Sequence, residues 1–246
     1  MPNFDYEMLF FNQLNFKEPS LKQLKNLPMQ QTYNFFAAGC DEVGRGCLAG
    51  PVVACCLALK PNLPLKVLSI INDSKVLNPK KRQEVVAYLK QYSDYGVAEI
   101  SVAIIDKINI LQAALQAMTK AYYDLINKLQ KNAGIFDLNT TRFSTTTLPK
   151  LMIVDGNQKI ELDIPVFTLV GGDSKSLNVA AASIVAKVHR DELMRKLGEQ
   201  YPQYQWDKNK GYGTANHLKA VNMYGMTIHH RKSFAPFKKE KFPLYV

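Results

Sequence analysis

The chain has 246 residues, with 31 Lys or Arg against 21 Asp or Glu and a net charge of +10. With 47% hydrophobic and 21% charged residues it can bury a substantial core, which excludes a mostly disordered chain. No uncharged apolar run approaches the roughly 18 residues a membrane helix needs, and Asp5 and Glu7 stand where a secretory leader wants cations, so a cytosolic (cytoplasmic) protein without a membrane span is expected.

Residues 1–34 are rich in Asn, Gln and Lys and form an extension of unassigned role, with LKQLKNL at 21–27 suited to a short amphipathic helix. From Phe35 onward the pattern becomes that of a folded domain, 35–246. Phe35–Cys40 and Pro51–Leu59 are strand-like apolar runs, the first ending at Asp41-Glu42. Asn78-Pro79 opens a helix to about Tyr92, with Asn as cap and Pro in the first turn. Tyr95–Val102 predicts a third strand. Apolar residues from Ile108 to Leu129 recur at spacings of three and four and predict a core helix. Residues 132–149 lack periodicity and form a long loop of unassigned role. Leu151–Val154 and Val166–Val170 are strand-like runs ending at Asp155-Gly156-Asn157 and Gly171-Gly172-Asp173. An alanine-rich helix follows from about Ser176 to Leu197, stopped by Gly198, and Thr214 caps a last helix ending near Gly225. This order predicts an α/β fold, a mixed sheet flanked by helices with a C-terminal helical segment.

Cys40, Cys47, Cys55 and Cys56 lack CxxC spacing and read as small buried hydrophobes, with Cys55 and Cys56 on opposite faces of a strand. Residues 207–246 hold eight Lys or Arg against two acids, so +6 of the +10 sits there, interleaved with Tyr212, Tyr224, Phe234 and Phe237. Such a face suits a polyanion, and equally an ordinary solvated tail.

No Walker loop, HExxH or GxSxG is present, and the four histidines lie far from any CxxC. Hydrolytic chemistry, if present, then falls to carboxylates. Asp41, Glu42, Asp155 and Asp173 each follow an apolar strand-like run or its terminal glycines, where side chains of an α/β sheet converge on a crevice. Converging carboxylates repel one another, and hard divalent cations such as Mg²⁺ or Mn²⁺ relieve the repulsion. A turn or cap acid explains any one of them, Asp155 in VDGN above all; four together are harder to explain that way. Neighbours on a strand point to opposite faces, so for Asp41 and Glu42 to share a site the strand must end, twist or bulge. Gly44-Arg45-Gly46 supplies that freedom and lets a ligand approach the backbone.

AAGCDEVGRGCLAGPVVA (37–54), NDSKVLNPKKR (72–82), VDGN (154–157), GGDSKSLNVAAASIVAKVHRDELM (171–194), NKGYGT (209–214) and HHRKSF (229–234) together resemble the ribonuclease HII family over residues 37–235. DExGRG with the AAASIVAKVxRD segment is specific; VDGN or GYGT alone is weak. The resemblance implies an RNase H-like fold and metal-coordinating, catalytic Asp41, Glu42, Asp155 and Asp173. It also implies that Gly44, Arg45 and Gly46 read the ribose 2′-hydroxyl and that Tyr212 stacks on the neighbouring sugar at an RNA–DNA junction. Lys75, Ser183 and Lys187 are implied phosphate contacts, the last two sharing a helix face. His229, His230, Arg231 and Lys232 suit the duplex backbone or a solvated basic turn, and Asp163, Asp191 and Glu192 read as surface or capping acids. The related ribonuclease HIII group carries GTG where GRG stands here, and Cys47 stands where many relatives carry Pro. The expected activity is two-metal hydrolysis, with Mn²⁺ or Mg²⁺, of the RNA strand of RNA–DNA hybrids and of duplex DNA containing ribonucleotides, by a monomer. A resolvase- or transposase-type nuclease would have no need of DExGRG, and a non-catalytic basic nucleic-acid-binding protein leaves the strand-end acids unexplained.

Overall fold

The computed structural model describes residues 3–13, 37–60, 63–71, 78–133, 148–238 and Pro243. Strands β1 (Ala37–Val43), β2 (Val52–Leu59) and β3 (Ser93–Ile100) form successive antiparallel pairs, while β4 (Leu151–Asp155) and β5 (Val166–Leu169) add in parallel on the other side of β1. The order β3-β2-β1-β4-β5 makes β1 the central strand of a five-stranded mixed sheet. β2 reads VVACCLAL and is buried along its whole length, as a strand covered on both faces must be.

Alternation along the strands divides the core in two. Ala38, Cys40, Ala54, Cys56, Met152 and Val154 pack beneath a long helix, whereas Cys55, Leu57 and Leu59 pack with Ala180, Ala181 and Ile184 on the opposite face. All four cysteines are buried free thiols.

The helices, in chain order, are α1 (Asp5–Gln13), α2 (Leu65–Ile71), α3 (Pro79–Tyr92), α4 (Val102–Ile108), α5 (Ile110–Ala133), α6 (Leu177–Gln200), α7 (Trp206–Asn209) and α8 (Ala215–Tyr224). Helix α5 lies across β2 and β3, and α6 across β1 and β2. A Cβ on Gly39 would stand 2.2 Å from the Val179 nitrogen, so the start of α6 rests directly on the β1 backbone and glycine is required there. The Asn78 side chain accepts from Lys81 N–H at 2.9 Å, and Thr214 accepts from His217 N–H at 3.3 Å, so both caps form as read from the sequence.

Several boundaries differ from expectation. β1 continues regularly through Asp41 and Glu42, which pair with Cys55 and Ala54, so no bulge or early end occurs there. The expected strand at 95–102 ends at Ile100, and α4 precedes the long helix, the break falling at Asn109 with φ +67°. Its side-chain oxygen accepts from the Leu111 and Gln112 amides, which starts α5. Gly198 does not stop α6. A Cβ there would lie 2.6 Å from the Asp207 nitrogen, so the glycine admits α7 against a continuing helix.

Part of the N-terminal extension docks on the domain. Asn3 pairs with Ser176, through Asn3 N–H to Lys175 O at 3.0 Å and Leu177 N–H to Asn3 O at 3.1 Å. Phe10 stacks on Phe167 of β5 with ring centroids 4.4 Å apart. The helix expected at 21–27 and most of the loop expected at 132–149 lie outside the described residues. No helix among the described residues is long and apolar enough to cross a membrane.

Candidate active site

Asp41 sits on β1 two residues after Gly39 and therefore points to the α6 face. Asp155 ends the neighbouring parallel strand β4, on the same face as Leu151 and Ile153. The two carboxylates thus share one side of the sheet at adjacent strand ends. Asp41 is 8% exposed. Its carboxyl titrates well above the ordinary carboxylate range, first because burial strips its hydration and then because Glu42 and Asp155 add negative charge. Ser183 on α6 and the Glu42 amide, at 2.7 Å, hydrogen-bond to Asp41 and offset part of that penalty.

Glu42 projects from the opposite face by alternation, at the open end of the strand. Burial also raises its pKa and Asp155 adds to the rise, while Arg45, 3.0 Å away, opposes both. Asp155 accepts the Gly172 N–H at 2.6 Å. Asp173 follows immediately, in the 3₁₀ turn Gly172–Ser174 between β5 and α6. The chain therefore joins Asp41, Glu42 and Asp155 electrostatically and brings the Asp173 turn onto Asp155. Among the described residues no three carboxylate, histidine or cysteine side chains are already arranged to hold a metal ion. The donor set still fits a hard divalent cation: it is all carboxylate oxygen, and the charge of Asp155 raises the pKa of both Asp41 and Glu42.

The Gly44–Pro51 loop is fixed from below. Leu48 and Ala49 N–H donate to Gly211 O at 2.8 and 3.2 Å, and Gly50 N–H donates to His229 O at 2.9 Å. Gly44, Arg45 and Gly46 lie at its start, with Arg45 and Gly46 exposed. Tyr212 is 46% exposed beside the loop, and its hydroxyl meets Cys47, which raises its pKa.

Other expected contacts are placed differently. Ser183 faces Asp41, and Lys187 pairs with Asp191 at 2.6 Å, so both are engaged within the protein. Asp191 is accordingly more than a surface acid, and Asp163 accepts from the Tyr122 hydroxyl at 2.7 Å. Lys75 lies outside the described residues. His230 and Arg231 do not form a solvated basic turn, because both are buried, at 1% and 0% exposure. Arg231 turns inward to the Gly50 and Arg45 carbonyls, and His230 to His217 and Thr227. Arg190 carried no sequence assignment, yet it too reaches the loop. The available signal was helical spacing: Ser183, Lys187, Arg190 and Met194 share a stripe along α6.

The ribonuclease HII family model matches residues 38–237. A protein named ribonuclease HII from Wolbachia sp. subsp. Brugia malayi (strain TRS) is 44% identical over 200 residues, covering 81% of this chain and 87% of its own. One of the same name from Chlamydia trachomatis serovar L2 (strain ATCC VR-902B / DSM 19102 / 434/Bu) is 43% identical over 226 residues, covering 91% and 92%. Among solved structures, ribonuclease H2 from Pyrococcus horikoshii OT3 shares the fold, with a TM-score of 0.62 at 22% identity over 83% of this chain and 96% of that one. The match runs from the second residue of β1 to Phe237, and on that extent the chain belongs to the ribonuclease HII family, as an endoribonuclease of the ribonuclease H type acting on nucleic acid.

Proposed function

We propose that this enzyme cleaves the RNA strand of RNA–DNA hybrids and nicks 5′ to ribonucleotides embedded in duplex DNA, leaving 3′-hydroxyl and 5′-phosphate ends. The observation that carries this reading is the buried Asp41 beside the half-buried Asp155, whose charge raises the Asp41 pKa, next to an anchored glycine loop. Asp41, Glu42, Asp155 and Asp173 would hold two Mn²⁺ or Mg²⁺ ions, and the charge of Asp41 couples to both Glu42 and Asp155. When bound, such ions activate water and stabilise the departing 3′-oxygen.

The chain's own residues position the substrate. Ser183 orients the Asp41 carboxylate. Backbone groups of Gly44, Arg45 and Gly46 meet the ribose 2′-hydroxyl, the one group that marks a ribonucleotide within DNA. Tyr212, exposed beside them, stacks on the adjoining sugar. Residues 35–246 act as one catalytic domain, on which residues 3–13 of the extension pack.

Asp41→Asn and Asp155→Asn should each reduce nicking of a DNA duplex carrying one ribonucleotide by at least about a hundredfold, a scale typical of losing a charged catalytic group, while binding changes little. Near-normal turnover in Mn²⁺ by either variant would overturn the site. Equal cleavage of an all-DNA duplex by the wild type would overturn the substrate assignment and favour another RNase H-like nuclease.

A further inference from the structure

Two guanidinium groups lie fully buried beneath the Gly44–Pro51 loop, those of Arg190 and Arg231, each 0% exposed. A guanidinium removed from water needs its donors satisfied, and here backbone carbonyls do it. Arg231 donates through Nε and Nη2 to Gly50 O, at 3.0 and 2.8 Å, and through Nη1 to Arg45 O at 2.9 Å. All three bonds stay within the one loop.

Arg190 does something different. Its Nε donates to Pro51 O at 3.0 Å and its Nη2 to Ala49 O at 3.1 Å, but its Nη1 donates to Lys210 O at 2.9 Å. Lys210 is two residues from Tyr212, and Gly211 between them accepts the Leu48 and Ala49 amides. On the other side, a Cβ on Gly44 would sit 2.2 Å from Arg190 Nε, so the same side chain packs against the start of the loop. Three donors of one rigid fork thus span two chain segments, from a helix that also presents Ser183 to Asp41.

We infer that Arg190 is a positioning residue that locks the Gly44–Gly46 loop and the Tyr212 segment into one register, so that a 2′-hydroxyl and the adjoining sugar are read as a single unit. This rests on the recognition roles proposed above for Gly44, Arg45, Gly46 and Tyr212. Lysine cannot replace the fork, because one ammonium has no rigid geometry with which to reach three carbonyls.

A double-mutant cycle tests it. On a duplex with one ribonucleotide, Arg190→Lys should lower kcat/KM about tenfold when Tyr212 is present and about threefold or less in the Tyr212→Ala background, as coupled residues do. On a continuous RNA–DNA hybrid both losses should be smaller. Arg231→Lys, whose guanidinium hydrogen-bonds to the first loop and to no carbonyl of the Tyr212 segment, should lose the same factor in both backgrounds. A purely structural role would lower the melting temperature and reduce activity on both substrates alike. Equal Arg190→Lys losses with and without Tyr212 would overturn the inference, whereas a Tyr212→Ala variant with full activity on the single ribonucleotide would overturn the recognition reading itself. Should Arg190→Lys fail to fold, amide exchange in the wild type decides. Amides at 48–50 and 211–212 should gain protection together when the ribonucleotide duplex binds, and protection confined to one segment would overturn the register lock.

Discussion

Gly44 and Gly46 flank Arg45 and answer to different constraints. Gly44 has φ +94° and Arg190 packed where a Cβ would go, so the fold alone demands glycine. Gly46 has neither constraint: its φ is not positive and nothing lies within 4 Å of the Cβ position. No contact among the described residues accounts for a glycine there, and room for a ligand does. Gly46→Ala should therefore fold normally, with stability unchanged or raised by about 0.4–1 kcal/mol through a stiffer unfolded chain. The same methyl group should raise KM for a single-ribonucleotide duplex about tenfold or more, because a close backbone approach is lost. Melting curves beside steady-state kinetics check both halves, and an active, stable variant would remove Gly46 from the recognition loop.

Elements differed in how far the sequence disclosed them. The α5 helix, the Asn78 and Thr214 caps, the strand end carrying Asp155 and the turn after β5 that carries Asp173 were legible, since each rests on local periodicity or on capping and turn chemistry. Gly198 misled, because its smallness serves a helix packed across it from elsewhere in the chain. The burial of Arg231 was hidden for the same reason: its partners lie more than 180 residues away, at Arg45 and Gly50. α1 was also missed. Its decisive residue is Glu7, 6% exposed, whose Oε1 accepts from Ser176 Oγ at 2.6 Å and from Asn178 N and Nδ2 at 3.3 and 3.1 Å. It thereby ties the extension to the first turn of α6, directly after the Asp173 turn. Its Oε2 is buried with no hydrogen-bond partner among the described residues, and burial raises its pKa. Glu7→Ala should cost about 1–3 kcal/mol by stranding buried donors. Glu7→Gln keeps the accepting oxygen and removes the titration. A raised folded-state pKa means that the stability this group contributes is full below the unfolded value near 4.5 and is lost as pH rises from there through the folded-state value. The Gln variant should therefore gain on wild type between pH 4.5 and neutrality, and a pH-independent difference in denaturation midpoint would show that Glu7 does not titrate in that range.

At the scale of the molecule the sheet and the C-terminal region are separate cores joined through the Gly44–Pro51 loop. Leu48 and Ala49 belong to the second core, with Met194, Tyr204, Trp206, Val221 and Phe237. At its centre lies a chain of neutral rings. His217 Nδ1–H donates to Tyr212 O at 2.8 Å, and its Nε2 accepts from Trp206 Nε1–H at 3.0 Å and from His230 Nε2–H at 3.1 Å. His230 Nδ1 in turn accepts the Thr227 amide at 3.0 Å. The network is complete with both histidines uncharged. A proton on His217 turns its Nε2 from an acceptor of two bonds into a donor facing both, and a proton on His230 breaks the bond from the Thr227 amide, leaving its Nδ1 the Thr227 hydroxyl, 3.1 Å away, as acceptor. Burial accordingly lowers both pKa values, His230 from 6.5 to about 3, with the His217 charge adding to the effect. Because the unfolded histidines bind protons that the folded ones exclude, stability should fall as pH drops below 6.5, by up to roughly 1.4 kcal/mol per pH unit for each. The loss originates around Trp206, the single tryptophan, and around the segment carrying Tyr212. In metal-free protein titrated from pH 7 to 4, Trp206 emission should shift to the red before the far-ultraviolet helix signal is lost, because the sheet core contains neither histidine. Coincident transitions would mean that the two cores open as one unit, and an unchanged emission spectrum down to pH 4 would show that the ring chain tolerates its proton.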